Sequence, residues 1–187
     1  MQTLKSKIFN FLKAKSYTLQ AGEGFSLIEM MVAIGIFAVV VMITSSTFIT
    51  SLKGQQKSIA VQNVADNARY AMEIMAKEIR MGDAFVGGGD TIQFISNMPN
   101  RAGKTVRFRL DSSAPQILFD DDLDTAGDDE PITGSNSAIT TLRFTISGTD
   151  PGSQPRVTIL LGVTSSGTAP DVASSMTLQT TVSPRSL

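Results

Sequence analysis

The chain of 187 residues contains no cysteine, no histidine and no tryptophan. Without cysteine no disulfide can staple the fold, whatever the redox state of its surroundings. Without histidine or cysteine, zinc sites of the usual ligand set are excluded, as is Ser-His or Cys-His nucleophilic catalysis. Chemistry would have to rest on carboxylates, lysine or a Ser-Lys pair, and no such constellation stands out. The composition therefore reads as a structural protein and not an enzyme, with no cofactor. Basic charge is also scarce. The chain has 16 Lys and Arg against 17 Asp and Glu, and residues 25–187 keep 12 basic against 16 acidic residues. A nucleic-acid surface needs clustered Lys and Arg, so no nucleic-acid partner is expected. Proline is missing from the start of the chain to Asn97, the first being Pro99. Nothing over that span forces a helix to break.

What is present is one long apolar run. Phe25–Ile43 is apolar apart from Ser26, Glu29 and Gly35, long enough to cross a hydrocarbon layer of about 30 Å as a single helix. A carboxylate inside such a helix costs roughly 2.5–3.5 kcal/mol on insertion scales, so Glu29 needs a partner. Ahead of the run, residues 1–24 carry Lys5, Lys7, Lys13 and Lys15 against the single acid Glu23. Positive charge before an apolar helix holds that end in the cytoplasm, and the rest of the chain is expected outside. Leu4, Ile8, Phe9, Phe11 and Leu12 give this leader a weakly amphipathic character. An ordinary secretory signal has an apolar core of about 7–15 residues and then a small-residue cleavage site. Here the core is too long, and the only small-residue cluster after it is Thr44–Thr47.

The segment GFSLIEMMVAIGIF, residues 24–37, resembles the N-terminal signature of type IV prepilins and of type II secretion pseudopilins. The resemblance is close over about 20 residues and extends loosely along the following helix; the C-terminal half carries no matching motif. It implies that a dedicated prepilin peptidase cuts after Gly24 on the cytoplasmic side and methylates the new N-terminus, Phe25. It makes Glu29 the assembly glutamate, paired in the filament with the α-amino group of Phe25 on an adjacent subunit. The implied partners are that peptidase, other pilin or pseudopilin subunits and an inner-membrane assembly platform. The implied location is the cytoplasmic membrane as a single-pass precursor, then a pilus or pseudopilus. Many type IV pilins have a helix-breaking proline where this chain has Ser46, and NARYAMEIMAKEIR, residues 67–80, resembles minor pilins and the J-type minor pseudopilin. Both favour a minor subunit over a major one.

Beyond the membrane segment, about residues 25–44, apolar residues recur every three or four positions: Val61, Val64, Ala68, Ala71 or Met72, Met75 and Ile79. That is the period of one helical face. The spacing predicts a single helix from about Ser26 to Met81, with Gly54 able to bend and Gly82 as its stop. Six runs rich in β-branched and aromatic residues then read as strands: Thr91–Ser96, Thr105–Leu110, Gln116–Phe119, Thr140–Ile146, Arg156–Val163 and Met176–Val182. In two of them Val106, Phe108 and Leu110, or Leu142, Phe144 and Ile146, alternate with polar neighbours, one face in and one out. The expected fold is α+β and pilin-like: one long N-terminal helix, half in the membrane and half amphipathic, packed against an antiparallel β-sheet head. The expected divisions are a leader at residues 1–24, the helix at 25–82 and the head at 83–187.

Residues 120–130, DDDLDTAGDDE, hold seven acids in eleven positions. Asp120, Asp122 and Asp124 have the alternate spacing of a calcium loop. An EF-hand would then require Gly and Glu where this chain has Thr125 and Pro131. A solvated, variable loop is the expected reading and calcium the weaker one. Two functions follow: a processed, polymerising structural subunit, or a membrane-anchored extracytoplasmic domain, binding calcium or glycan, that never polymerises.

Overall fold

The computed structural model describes residues 24–123, 129–150, 152–167 and 169–185. Its contacts divide the chain into two units, one ending at Thr47 and one running from Phe48 to Leu187. The leader lysines and the amphipathic leader residues lie outside the described residues.

One helix, α1, runs Leu27–Arg80. Its start has the sequence of a capping box, Ser-x-x-Glu. The Glu29 backbone N–H donates to Ser26 Oγ at 3.3 Å, with Ser26 ahead of the first helical residue. In the first unit every described side chain is exposed, including Leu27, Ile28, Ile34, Phe37 and Met42. Thr44 and Thr47 turn their hydroxyls back onto the carbonyls of Val40 and Ile43, at 2.7 and 2.9 Å. A hydroxyl satisfied by its own helix leaves no open donor in an apolar medium.

In the second unit α1 buries Ala60, Val64, Ala68, Ala71, Met72, Met75, Glu78 and Ile79. The expected stripe is thus in register except at its start, where the small Ala60 is inside and Val61 is 41% exposed. Eight strands follow: β1 Gly82–Gly88, β2 Thr91–Ser96, β3 Thr105–Leu110, β4 Ile117–Asp120, β5 Glu130–Pro131, β6 Ser137–Ser147, β7 Arg156–Ser165 and β8 Ser175–Val182. They form two antiparallel sheets, β1-β2-β3-β4-β5 and β6-β7-β8. The sheets are joined where Gly89 and Phe144 exchange backbone hydrogen bonds of 3.0 and 2.6 Å. The helix stripe and both sheets share one core. It holds Val64, Met75 and Ile79 with Ile92, Phe94 and Phe108 of the first sheet and Phe144, Ile159 and Leu161 of the second. Phe85, Phe94, Phe108 and Phe119 run through it as a chain of tilted rings, with centroids 5.4, 6.1 and 4.7 Å apart.

Gly82 does not cap the helix, contrary to the expectation. The last turn is closed from elsewhere: the Arg185 N–H donates to the Arg80 carbonyl at 2.9 Å, and the Asn97 N–H to that of Met81 at 2.8 Å. These satisfy two carbonyls that a helix end leaves open. Gly82 instead begins β1, and a Cβ built there would strike the Phe94 ring. Gly82→Ala is therefore expected to cost about 1–3 kcal/mol by overpacking, read as a lower unfolding temperature of the detergent-solubilised protein. Unchanged stability would mean that Phe94 repacks without cost.

Candidate functional site

The N-terminal segment is positioned by where α1 begins. Gly24, Phe25 and Ser26 precede the helix in non-regular backbone. Phe25 is 78% exposed, and nothing lies within 4 Å of a Cβ placed on Gly24. The Gly24–Phe25 peptide bond thus lies ahead of the helix, outside its hydrogen bonding. Glu29 follows in the first turn of the helix, where the macrodipole favours negative charge. Among the described residues no cation pairs with it. The helix from Leu27 is long and apolar enough to cross a membrane by length and composition. Contiguous exposed apolar surface of this extent calls for a covering phase or partner.

The acidic segment is organised differently from the expectation. Asp120, the last residue of β4, is buried and accepts from Arg107 at 2.6 Å. Asp122 pairs with Lys104 at 2.9 Å, and Asp129 with Arg109 at 2.6 Å. The cations of β3 and of the turn before it thus neutralise the acids of β4 and the segment after it. Asp124 and Thr125 lie outside the described residues; of the three candidate calcium ligands, Asp120 and Asp122 are each held by a cation. Among the described residues no group of three acids is placed to hold a metal. Millimolar calcium is expected to leave the unfolding temperature unchanged; a rise of several degrees would mean that Asp120 and Asp122 exchange their cations for the metal.

The most buried ion pair among the described residues is one that sequence reasoning missed. Glu78 sits in the helix stripe between Met75 and Ile79 and is 5% exposed. Arg101, in the turn between β2 and β3, donates to its Oε1 at 2.5 Å, reaches Asp121 at 3.7 Å and lies 4.9 Å over the Phe119 ring. Burial pushes the Glu78 carboxyl above its ordinary value, and Arg101 partly offsets this. The available signal was helical phase: three residues after Met75, position 78 falls on the inner face.

A family model described as "Prokaryotic N-terminal methylation motif" matches residues 23–45. No curated protein matches the chain. No solved structure matches it. The motif is the prepilin methylation signature of type IV pilins and pseudopilins, and the α+β architecture behind it is pilin-like. The motif and the apolar helix behind it fit a membrane-anchored precursor.

Proposed function

We propose that this chain of the type IV pilin and pseudopilin family is a minor subunit of a type IV pilus or type II secretion pseudopilus. In this reading prepilin peptidase removes residues 1–24 and methylates Phe25. The apolar half of α1 then passes from the membrane into a bundle of like helices, drawn there by an inner-membrane assembly platform. The observation that carries the reading is the methylation motif over residues 23–45. It is supported by an exposed Gly24–Phe25 bond immediately ahead of an exposed apolar helix.

Glu29 gives the reading its mechanism. A bundle of apolar helices excludes both lipid and water, and a carboxylate buried there is tolerated only when paired. The α-amino group freed on Phe25 of an adjacent subunit supplies the positive charge. An uncleaved subunit has that nitrogen tied up in a peptide bond and cannot pair. Cleavage and register are thereby coupled. A minor rather than a major role is supported by the uninterrupted helix through Ser46.

The test is intact and N-terminal peptide mass spectrometry on protein from native membranes. A chain beginning at N-methyl-Phe25 is expected. A chain beginning at Met1, or beyond Ser46, overturns the filament reading in favour of a membrane anchor or a secreted domain.

A further inference from the structure

A cavity of about 730 Å³ opens where four stretches of the second unit meet: the start of β1, Asn97 after β2, the turn between β6 and β7, and the segment after β8. Small-molecule sites occupy about 300–1,000 Å³, but they are lined mainly by apolar and aromatic side chains. Here Pro155 and Pro184 are the only apolar side chains, and the rest are Asp83, Asn97, Ser153, Gln154 and Arg185. Asn97 and Arg185 are the two residues whose N–H groups close the end of α1, so their side chains rise from fastened backbone. Gln154 donates from Nε2 to the Pro184 carbonyl at 3.2 Å. That bond ties the β6–β7 turn to the C-terminal segment and leaves the amide oxygen for another partner. Asp83 stands at the bulge between Asp83 and Val86, a device that re-aims side chains next to sites. Ala84 beyond it has a φ of 53°, strained for a residue with a Cβ. Its N–H donates to Asp83 Oδ1 at 2.7 Å, and the second carboxylate oxygen remains. Among the described residues neither Asp83 nor Arg185 enters an ion pair, with each other or with a third group. Two opposite charges thus border one space and cancel across it.

We propose that this cavity binds a neutral saccharide. A hard cation needs several oxygen ligands, carboxylates foremost, and the lining has the single acid Asp83. An anion drawn to Arg185 would also meet Asp83. A flat apolar ligand has no aromatic or aliphatic wall to stack on. What fits is an uncharged molecule dense in groups that donate and accept at once, as the side chains of Asn97, Ser153 and Gln154 do. Sugar hydroxyls have that property, and the C–H faces of a pyranose ring suit Pro155 and Pro184. The lining lies wholly in the second unit, so the site stands whether or not the chain is cleaved and polymerises.

The experiment is saturation-transfer NMR on the full chain, solubilised in a detergent without a sugar head group. The probes are glucose, galactose, N-acetylglucosamine, cellohexaose and chitohexaose, with the peptide Gly-Ser-Gly as a polar control. Transfer to at least one sugar is expected at millimolar concentration. Half-molar sodium chloride should leave it unchanged, because the ligand carries no charge to be screened. Arg185→Ala keeps the backbone N–H that fastens α1, and Asp83→Asn keeps an acceptor for the Ala84 N–H. Each should weaken binding about tenfold or more, since hydrogen bonds to charged groups are the strong ones. A response to single sugars assigns a terminal unit, and a response only to the hexasaccharides assigns the interior of a polysaccharide; either supports the inference. Transfer to no sugar overturns it. So does transfer that survives both substitutions together, that salt abolishes, or that is equally strong to the peptide.

Discussion

Glu29→Leu is expected to leave cleavage after Gly24 and methylation of Phe25 intact while cutting incorporation into the filament by about a hundredfold or more. Removing one member of a buried ion pair costs about 3–5 kcal/mol because the other charge is left unpaired, and each 1.4 kcal/mol is tenfold in an equilibrium. The sequence offers a rival role, since Glu29 stands at the fourth position of a Ser-x-x-Glu capping-box pattern whose Ser26 Oγ accepts from the Glu29 N–H. Glutamine serves that role equally well but carries no charge. Glu29→Gln should therefore fail like Glu29→Leu if charge is what matters, and assemble normally if capping is. Measuring processed subunit in membranes against subunit in sheared filaments reads both variants. Wild-type incorporation of Glu29→Leu would end the pairing argument.

The second large effect is in the head. Arg101→Ala is expected to destabilise the protein by about 3–5 kcal/mol, because it strands a buried Glu78 carboxylate. The double variant Glu78→Leu with Arg101→Met should recover most of that loss, since a buried pair is often replaceable by apolar side chains of similar size. The pH dependence has a definite sign. The folded-state pKa of Glu78 is raised above 4.5, first by burial, with Arg101 pulling it back. A raised carboxyl contributes stability that is fully present below the unfolded value and is lost as pH rises through the folded value. Without Arg101 the folded value climbs further. The deficit of Arg101→Ala relative to wild type should then be largest at neutral pH and shrink as pH falls toward 4.5. Urea unfolding of both proteins across that window tests it; a pH-independent deficit would mean that Arg101 acts by packing on Phe119 rather than by charge.

The helix and most strands were legible in the sequence because their signals are local and repetitive. Alternation in TVRFRL and period 3.6 through Met75 and Ile79 report which face is inside before any partner is known. β2 and β3 occupy the residues expected of them, Thr91–Ser96 and Thr105–Leu110. β1 was not legible. GDAFVGG has three glycines and an aspartate, low in strand propensity, and it is extended because β2 pairs with it across a bulge between Asp83 and Val86. Tertiary pairing overrides propensity there. The division into two sheets depends on where β4 and β6 part company, which no residue type signals. In the acidic segment the sequence displayed the carboxylates but hid their partners. Arg107 and Arg109 read as the polar side of a strand, whereas they face Asp120 and Asp129. The processing segment was the most legible part, since a glycine, an aromatic, an acid and an apolar run need no tertiary context.

The order of the strands bears on how the head comes to fold. Every strand pairs with the one next to it in sequence, β1 through β5 and then β6 through β8. The amphipathic half of α1 precedes them all. A chain that appears from its N-terminus can therefore lay down the helix stripe first and add each hairpin as it arrives. Few loops must close over long separations before contacts repay them, the condition associated with fast folding. The long-range closures come last: Phe144 onto Gly89, and Arg185 onto the Arg80 carbonyl. Because that second contact follows β8, the Arg80 carbonyl is the part of the helix end that stays open until every strand has formed.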